Sequence, residues 1–204
     1  MNKTNYFSKD EDKQAQFAFN LIAPAYDVLD KDTYKYFKAM ATLFNSHTPL
    51  KDKAILDMGR GTRAWKSALN QYKLLKAVGA DFSKKMIRQA EKKHPEIKFV
   101  HQHGENTDAF ANNSLDIVTA TFVLHGMKKE KRTKVINEMK RIAGKWVVIH
   151  DFYSNRHPFV QLPEFLKRSD YRYFQKHFAK ILSRFFPKGR YLPAITEMHC
   201  ILVK

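Results

Sequence analysis

The chain has 204 residues, enough for one sizeable core and too few for two comfortable domains. Its 44% hydrophobic and 13% aromatic content exclude a disordered chain, no stretch approaches the roughly 18 to 20 apolar residues that span a bilayer, and the charged amino terminus lacks a signal-peptide core. The single cysteine, Cys200, excludes an intrachain disulfide and fits a reducing, cytoplasmic home, while 37 Lys plus Arg against 20 Asp plus Glu give a formal +17 that attracts polyanions.

In chain order, residues 11–45 read as helical, with Phe17, Leu21, Tyr34, Phe37, Met40 and Phe44 as candidate buried positions. A short buried strand follows over 54–58, ended by Gly59, and a helix over 63–71. A second strand spans 76–80. The helix over 83–94 has Ser83 as its N-cap and Pro95 as its stop. Strands over 97–101, 115–121 and 145–150 are separated by a loop and by a helix over 130–143. A long amphipathic helix lies between Pro163 and Phe186, its apolar stripe Phe174, Phe178, Ile181, Leu182 and Phe185. Segments 191–194 and 198–203 close the chain as an antiparallel pair. Alternating strands and helices predict one α/β domain, a Rossmann-like, doubly wound and mostly parallel seven-stranded sheet with helices on both faces.

The most informative stretch is Ile55-Leu56-Asp57-Met58-Gly59-Arg60-Gly61-Thr62-Arg63-Ala64. A strand that ends in Gly-x-Gly and turns into a helix brings bare backbone against a ligand at the carboxyl end of the sheet. Asp81 lies twenty residues beyond Gly61, at the end of the second strand. There a carboxylate can accept hydrogen bonds from both hydroxyls of a ribose, so the ligand class is a nucleoside. The stretch 59–64 also satisfies the dinucleotide pattern G-x-G-x-x-G/A, which keeps an NAD-binding oxidoreductase open.

Four ordered motifs carry a family resemblance. Asp57-x-Gly59-x-Gly61-Thr62 is similar to the D-x-G-x-G-T-G first motif of class I S-adenosylmethionine (SAM)-dependent methyltransferases. Gly79-Ala80-Asp81-Phe82-Ser83, with Met86 following, resembles their second motif. The run from Phe110 to Asp116, leading into Val123-Leu124-His125, resembles their P-F-x-D-N-S-F-D segment and fourth strand. Ile22-Ala23-Pro24-Ala25-Tyr26-Asp27 resembles the start of the ubiquinone and menaquinone-type C-methyltransferases. The resemblance implies SAM as cofactor, with Asp57, Gly59 and Gly61 in the motif that lines its methionine part and Asp81 on the ribose. It places Phe82 beside the adenine, Glu105 and Asn106 near the adenine edge, and Tyr26 as a cover from the amino-terminal helix. Arg63 stands where the family has its third glycine, and Arg60 where a small residue is usual. Arg63 can turn to solvent, pair with the SAM carboxylate, or impair binding altogether.

Methyl transfer from a sulfonium asks the protein chiefly to hold the nucleophile close, dry and aligned. A base is needed only where the acceptor must lose a proton. His125, after the fourth strand, and the pair His150-Asp151, at the end of the fifth, are the candidates, His125 first. No metal-ligand spacing is visible. Segment 153–190 reads as a basic cap over the acceptor, with nine Lys or Arg against Glu164 and Asp170. Arg172, Lys176, Lys180 and Arg184 repeat every four residues and form one stripe, either a solvated face or a contact for RNA or an anionic membrane surface. The aromatics beside this stripe sit at core spacing and so do not read as a base-stacking platform. Three functions follow as expectations: a SAM methyltransferase on a small or lipid-like acceptor, an RNA-directed methyltransferase, and a non-catalytic protein of the same fold.

Overall fold

The computed structural model describes residues 13, 30–59, 65, 68–69, 71–93, 95, 97–152, 170–192 and 198–203. Helix α1 (Asp30–His47) leads into strand β1 (Ala54–Met58), then β2 (Lys76–Asp81), helix α2 (Lys84–Lys93), β3 (Lys98–His101) and β4 (Leu115–Thr121). A short 3₁₀ turn (Leu124–Gly126), helix α3 (Lys129–Ile142), β5 (Ala143–Phe152), helix α4 (Tyr171–Phe185), β6 (Arg190–Leu192) and β7 (Met198–Val203) complete the order. Trp65, Ala68 and Leu69 are helical within the segment expected to be a helix, and Gln71 is already in a turn.

Five strands pair in parallel in the order β3-β2-β1-β4-β5, the core of a Rossmann-like α/β fold. Beyond β5, β7 pairs antiparallel with it and β6 antiparallel with β7, which brings the hydrogen-bonded sheet to seven strands. The chain steps outward from β1 through β2 to β3 and then returns to β4. That reversal makes the β1/β4 boundary the topological switch point, where open α/β sheets bind ligands.

Side chains alternate across a strand, so each strand serves two cores. Ile55, Ile117 and Val148 face α1 and the helical residues Trp65, Ala68 and Leu69, with Phe37, Met40, Ala41 and Phe44 of α1 at helical spacing against them. Leu56, Met58, Val78, Val118, Ala120, Val147 and Ile149 face the other way, against Val135, Ile136, Met139 and Ile142 of α3 and Phe174, Phe178 and Leu182 of α4. No helix among the described residues is long and apolar enough to cross a membrane.

Four readings need correcting. Tyr34 is 40% exposed rather than buried, although helical spacing puts it within about 20° of buried Ala41; it stands near the start of α1, ahead of the buried positions from Phe37 to Phe44. Helix α4 starts only after Asp170, whose backbone is not helical. The fifth strand is longer than expected, since the antiparallel β7 holds its end as far as Phe152. Tyr173, beside the basic stripe, is half exposed, whereas Phe174 and Phe178 are buried as core spacing requires. Phe17, Leu21 and residues 163–169 lie outside the described residues.

Candidate active site at the carboxyl edge of the sheet

Strand register aligns the tips of the five parallel strands. Asp81 pairs with His101 and Thr121 with His150, while Met58 pairs with both Ala80 and Ala120. One step further, Gly59 therefore lies between Asp81 and Thr121, and its N–H donates to the Ala80 carbonyl at 3.0 Å. The β1 tip at the switch point is thus flanked by a carboxylate on one side and the β4 tip on the other.

Gly59 is required twice over. Its φ of +91° is a conformation that side chains rarely adopt, and a Cβ there would stand 2.3 Å from Val123 Cγ2. Beneath it, Asp57 is buried and fixed by a relay. The Thr119 hydroxyl donates to Asp57 Oδ1 at 2.7 Å, and Trp65 Nε1–H donates to the Thr119 oxygen at 3.4 Å. Asp57 thereby ties β1, β4 and the following helix together under the glycine turn. Gly61, Arg60, Arg63 and Tyr26 lie outside the described residues.

On the β2 side, Asp81 is only 6% exposed, and its Oδ1 accepts the Ser83 N–H at 2.7 Å. This bond holds the carboxylate at the strand tip and leads into α2, where the Ser83 hydroxyl accepts the Met86 N–H at 3.4 Å as an N-cap. The half-buried Phe82 ring has Lys131 Nζ 5.7 Å from its centroid and the His103 ring 6.3 Å away. Glu105 holds Lys131 at 3.4 Å, while Asn106 is exposed in the turn it shares with His103. A buried acceptor carboxylate, a flat ring and an adjacent side-chain-free turn are a donor and acceptor set that fits a nucleoside with free ribose hydroxyls.

The histidine candidates separate to opposite faces of the sheet. His125 Nδ1–H donates to Asp151 Oδ1 at 2.6 Å, and the His125 N–H donates to Asp151 Oδ2 at 3.0 Å. The carboxylate thus fixes both backbone and ring, and in a neutral imidazole held this way the basic nitrogen is Nε2. The Tyr171 ring stands edge-on to the imidazole at 5.7 Å. His150 turns the other way, as consecutive strand residues must, so His150 and Asp151 do not work as a pair. It packs among Phe37, Trp65 and Phe122, with ring centroids 4.9 to 6.0 Å apart. Burial holds its pKa down to about 4 against an opposing pull from Asp151, so it is a neutral core histidine.

Three features of this edge escaped the sequence. Asp151 as the partner of His125 could have been found from strand parity, which lets only one of His150 and Asp151 face α3 and α4. Arg132 is 2% exposed, donates to the carbonyls of Leu124 and Met127, and pairs with Asp170 at 2.5 Å. Burial lowers its pKa, opposed by the pull of Asp170. Its signal was helical spacing, since Arg132 precedes Val135, Ile136 and Met139 on one face. Phe122 adopts φ +54° while donating its N–H to the His150 carbonyl at 2.8 Å, and nothing in the sequence marks this.

The switch point and its occupants define the class, a doubly wound α/β protein with its site at the tip of β1. Residues 55–145, a little under half of the chain, match the family model described as a methyltransferase domain. A candidate SAM-dependent methyltransferase from Methanococcus maripaludis superposes with a TM-score of 0.68 at 17% identity, covering 100% of this chain and 95% of that one. A protein from Rhodobacter sphaeroides described as a candidate zinc-dependent alcohol dehydrogenase superposes with a TM-score of 0.67 at 10% identity, covering 96% and 98%. The CurJ carbon methyltransferase superposes with a TM-score of 0.62 at 16% identity over 76% of this chain, which spans about half (49%) of that one. Such identities carry the fold alone. No curated protein matches the sequence. Among the described residues no group of three or more His, Cys, Asp or Glu is placed to hold a metal ion.

Proposed function

We propose that the chain transfers a methyl group from SAM to a small or lipid-like acceptor that must give up a proton, with His125 as the base and Asp151 orienting it. The observation that carries the cofactor half is the row at the switch point, where Gly59, at a φ that only glycine adopts readily, lies beside the buried Asp81 carboxylate. SAM, when bound, supplies a methyl group on a sulfonium, already activated for displacement. Asp81 would accept the ribose hydroxyls, Phe82 would lie beside the adenine, and Gly59 would let backbone approach the amino-acid part. Glu105 and Asn106 would lie at the adenine edge, with Gly61 and Tyr26 completing the site as the family resemblance implies.

The His125–Asp151 pair supports the acceptor half. A base matters for an acceptor whose nucleophilic atom is protonated, such as a carbon beside a carbonyl or a hydroxyl. His125 Nε2 would take that proton, and the buried carboxylate at Nδ1 would stabilise the imidazolium that forms. One of the structural neighbours, CurJ, is a carbon methyltransferase by description, and this chemistry is of that kind.

Thermal unfolding tests the cofactor. A ligand at a hundred times its dissociation constant stabilises by about 2.7 kcal/mol. For a chain of this size that corresponds to a Tm rise of roughly 5 to 10 °C. SAM or its demethylated product should give this rise, and Asp81→Ala should remove most of it. A larger rise with NADH would overturn the assignment and favour an oxidoreductase.

A further inference from the structure

We propose that the solvent face of α4 is a binding surface for single-stranded polynucleotide, gripping its phosphates with a row of four cations and stacking one base on Tyr173. Arg172, Lys176, Lys180 and Arg184 are all exposed, and none makes an ion pair among the described residues. Successive members are separated by about 6 Å along the helix axis, at roughly 1.5 Å per residue. At about 100° per residue the four charges sweep an arc of about 120° on the helix surface. Phe174, Phe178 and Leu182, buried in the core, lie centred opposite that arc.

Like charges at four-residue spacing destabilise a helix, and no acidic side chain among the described ion pairs relieves these four. The acid nearest in sequence, Asp170, is occupied by the buried Arg132. The stripe therefore meets solvent as an uncompensated cationic face, on a chain whose formal charge is already +17. Lys188 and Arg190, both exposed, continue the positive surface beyond the helix end.

Two observations favour a polynucleotide over a lipid surface. First, the apolar side of α4 is committed to the protein core. It cannot enter a bilayer, as the apolar side of a membrane-surface helix does. Second, Tyr173 is 50% exposed and stacks on His177, with ring centroids 4.3 Å apart at 26°. On the helical wheel Tyr173 falls within the arc of the four charges, between Lys180 and Arg184. Aromatic faces interleaved with cations are how proteins hold single strands without reading their sequence.

The test is fluorescence anisotropy of the full chain, without cofactor, against a labelled oligouridylate and an oligothymidylate of about 12 nucleotides. Titrations run from about 50 to 200 mM KCl. Because no cofactor is present, failure here is distinguishable from failure of the methyltransferase reading. Each phosphate contact contributes about 0.7 to the slope of log K against log salt. Replacing all four cations with alanine should therefore flatten the slope by about 2.8, and Lys176→Ala with Lys180→Ala by about 1.4, should the fourfold variant fold poorly. Tyr173→Ala should weaken binding about fivefold or more, and Tyr173→Phe should retain it. Tighter binding of the uridylate would identify RNA through its 2′-hydroxyls, and equal binding a surface that takes either strand. The proposal is overturned if the alanine variants bind with unchanged slope, or if Tyr173→Ala binds as wild type. It is equally overturned if phosphatidylserine vesicles are bound and neither oligonucleotide is.

Discussion

Replacing Gly59 by alanine isolates the feature on which the proposed cofactor site depends. Two costs combine. The backbone at φ +91° lies in the left-handed half of conformational space, where a side chain costs about 1 to 2 kcal/mol. The new methyl would also stand 2.3 Å and 2.8 Å from the two Val123 methyls, and relieving such overpacking costs about 1 to 3 kcal/mol. Gly59→Ala should therefore lose about 2 to 5 kcal/mol of stability, a large share of the 5 to 15 kcal/mol typical of a domain. With a urea dependence of about 2 to 3 kcal/mol per molar, the unfolding midpoint should fall by about 1 to 2 M. Val123→Ala separates the two costs, because it removes the clashing methyls and leaves the backbone term. In that background Gly59→Ala should cost only about 1 to 2 kcal/mol. If the alanine costs less than about 0.5 kcal/mol in either background, φ and packing at this turn do not constrain residue 59. An unchanged cost after Val123→Ala would refute the clash alone.

His150 has its folded pKa held down to about 4, below the 6.5 of an unfolded chain, so the unfolded state binds its proton first as pH falls. Stability from this group is complete above about pH 6.5 and should decline by about 3 kcal/mol on reaching pH 4, and His150→Gln should flatten urea-derived stability across that window. Glu138, held down to about 2 chiefly by Arg141, then Thr107, acts in a lower window. Its contribution is present above about pH 4.5 and lost toward pH 2, so Glu138→Gln should flatten stability there and leave the His150 window intact. Asp170→Asn removes the counter-charge of buried Arg132 and should cost about 1 to 3 kcal/mol by urea unfolding. Arg132→Met with Asp170→Asn should cost less than the sum of the two single changes, since neither charge is then left unpaired.

The sheet was legible because its physics is local. Ile55-Leu56, Val78 and Ile117-Val118 are short β-branched or aliphatic runs between turn residues, and a parallel strand covered on both faces has no other reading. The four-motif resemblance located Asp57, Gly59 and Asp81 at strand tips for the same reason. A turn that must bend sharply and a carboxylate that must end a strand are both written at single positions. What could not be read were contacts made across the sheet. Val123 lies 64 positions from Gly59, and its approach depends on β4 stopping at Thr121 and the chain turning through Phe122 at φ +54°. A bulky residue in that conformation contradicts its own preference, so no pattern of residue types could announce it.

The basic stripe illustrates the same boundary from the other side. Helical spacing was enough to align Arg172, Lys176, Lys180 and Arg184, and the buried Phe174 and Phe178 agree with the opposite face. Tyr173 is the exception among the aromatics beside the stripe, since it adjoins the core position Phe174 in sequence but does not share its spacing. Its wheel angle already placed it among the cations, about 100° from Phe174. The solvent exposure then converts a neighbour of the core into a ring that faces outward, stacked on His177. That single difference moves the physical interpretation of α4. A purely cationic face repels itself and attracts any polyanion, whereas a cationic face with an available ring discriminates stacked bases from lipid headgroups. The decisive comparison is therefore Tyr173→Ala against Tyr173→Phe at fixed salt. Both keep every charge, so a difference between them reports stacking, and no difference reduces α4 to charge alone.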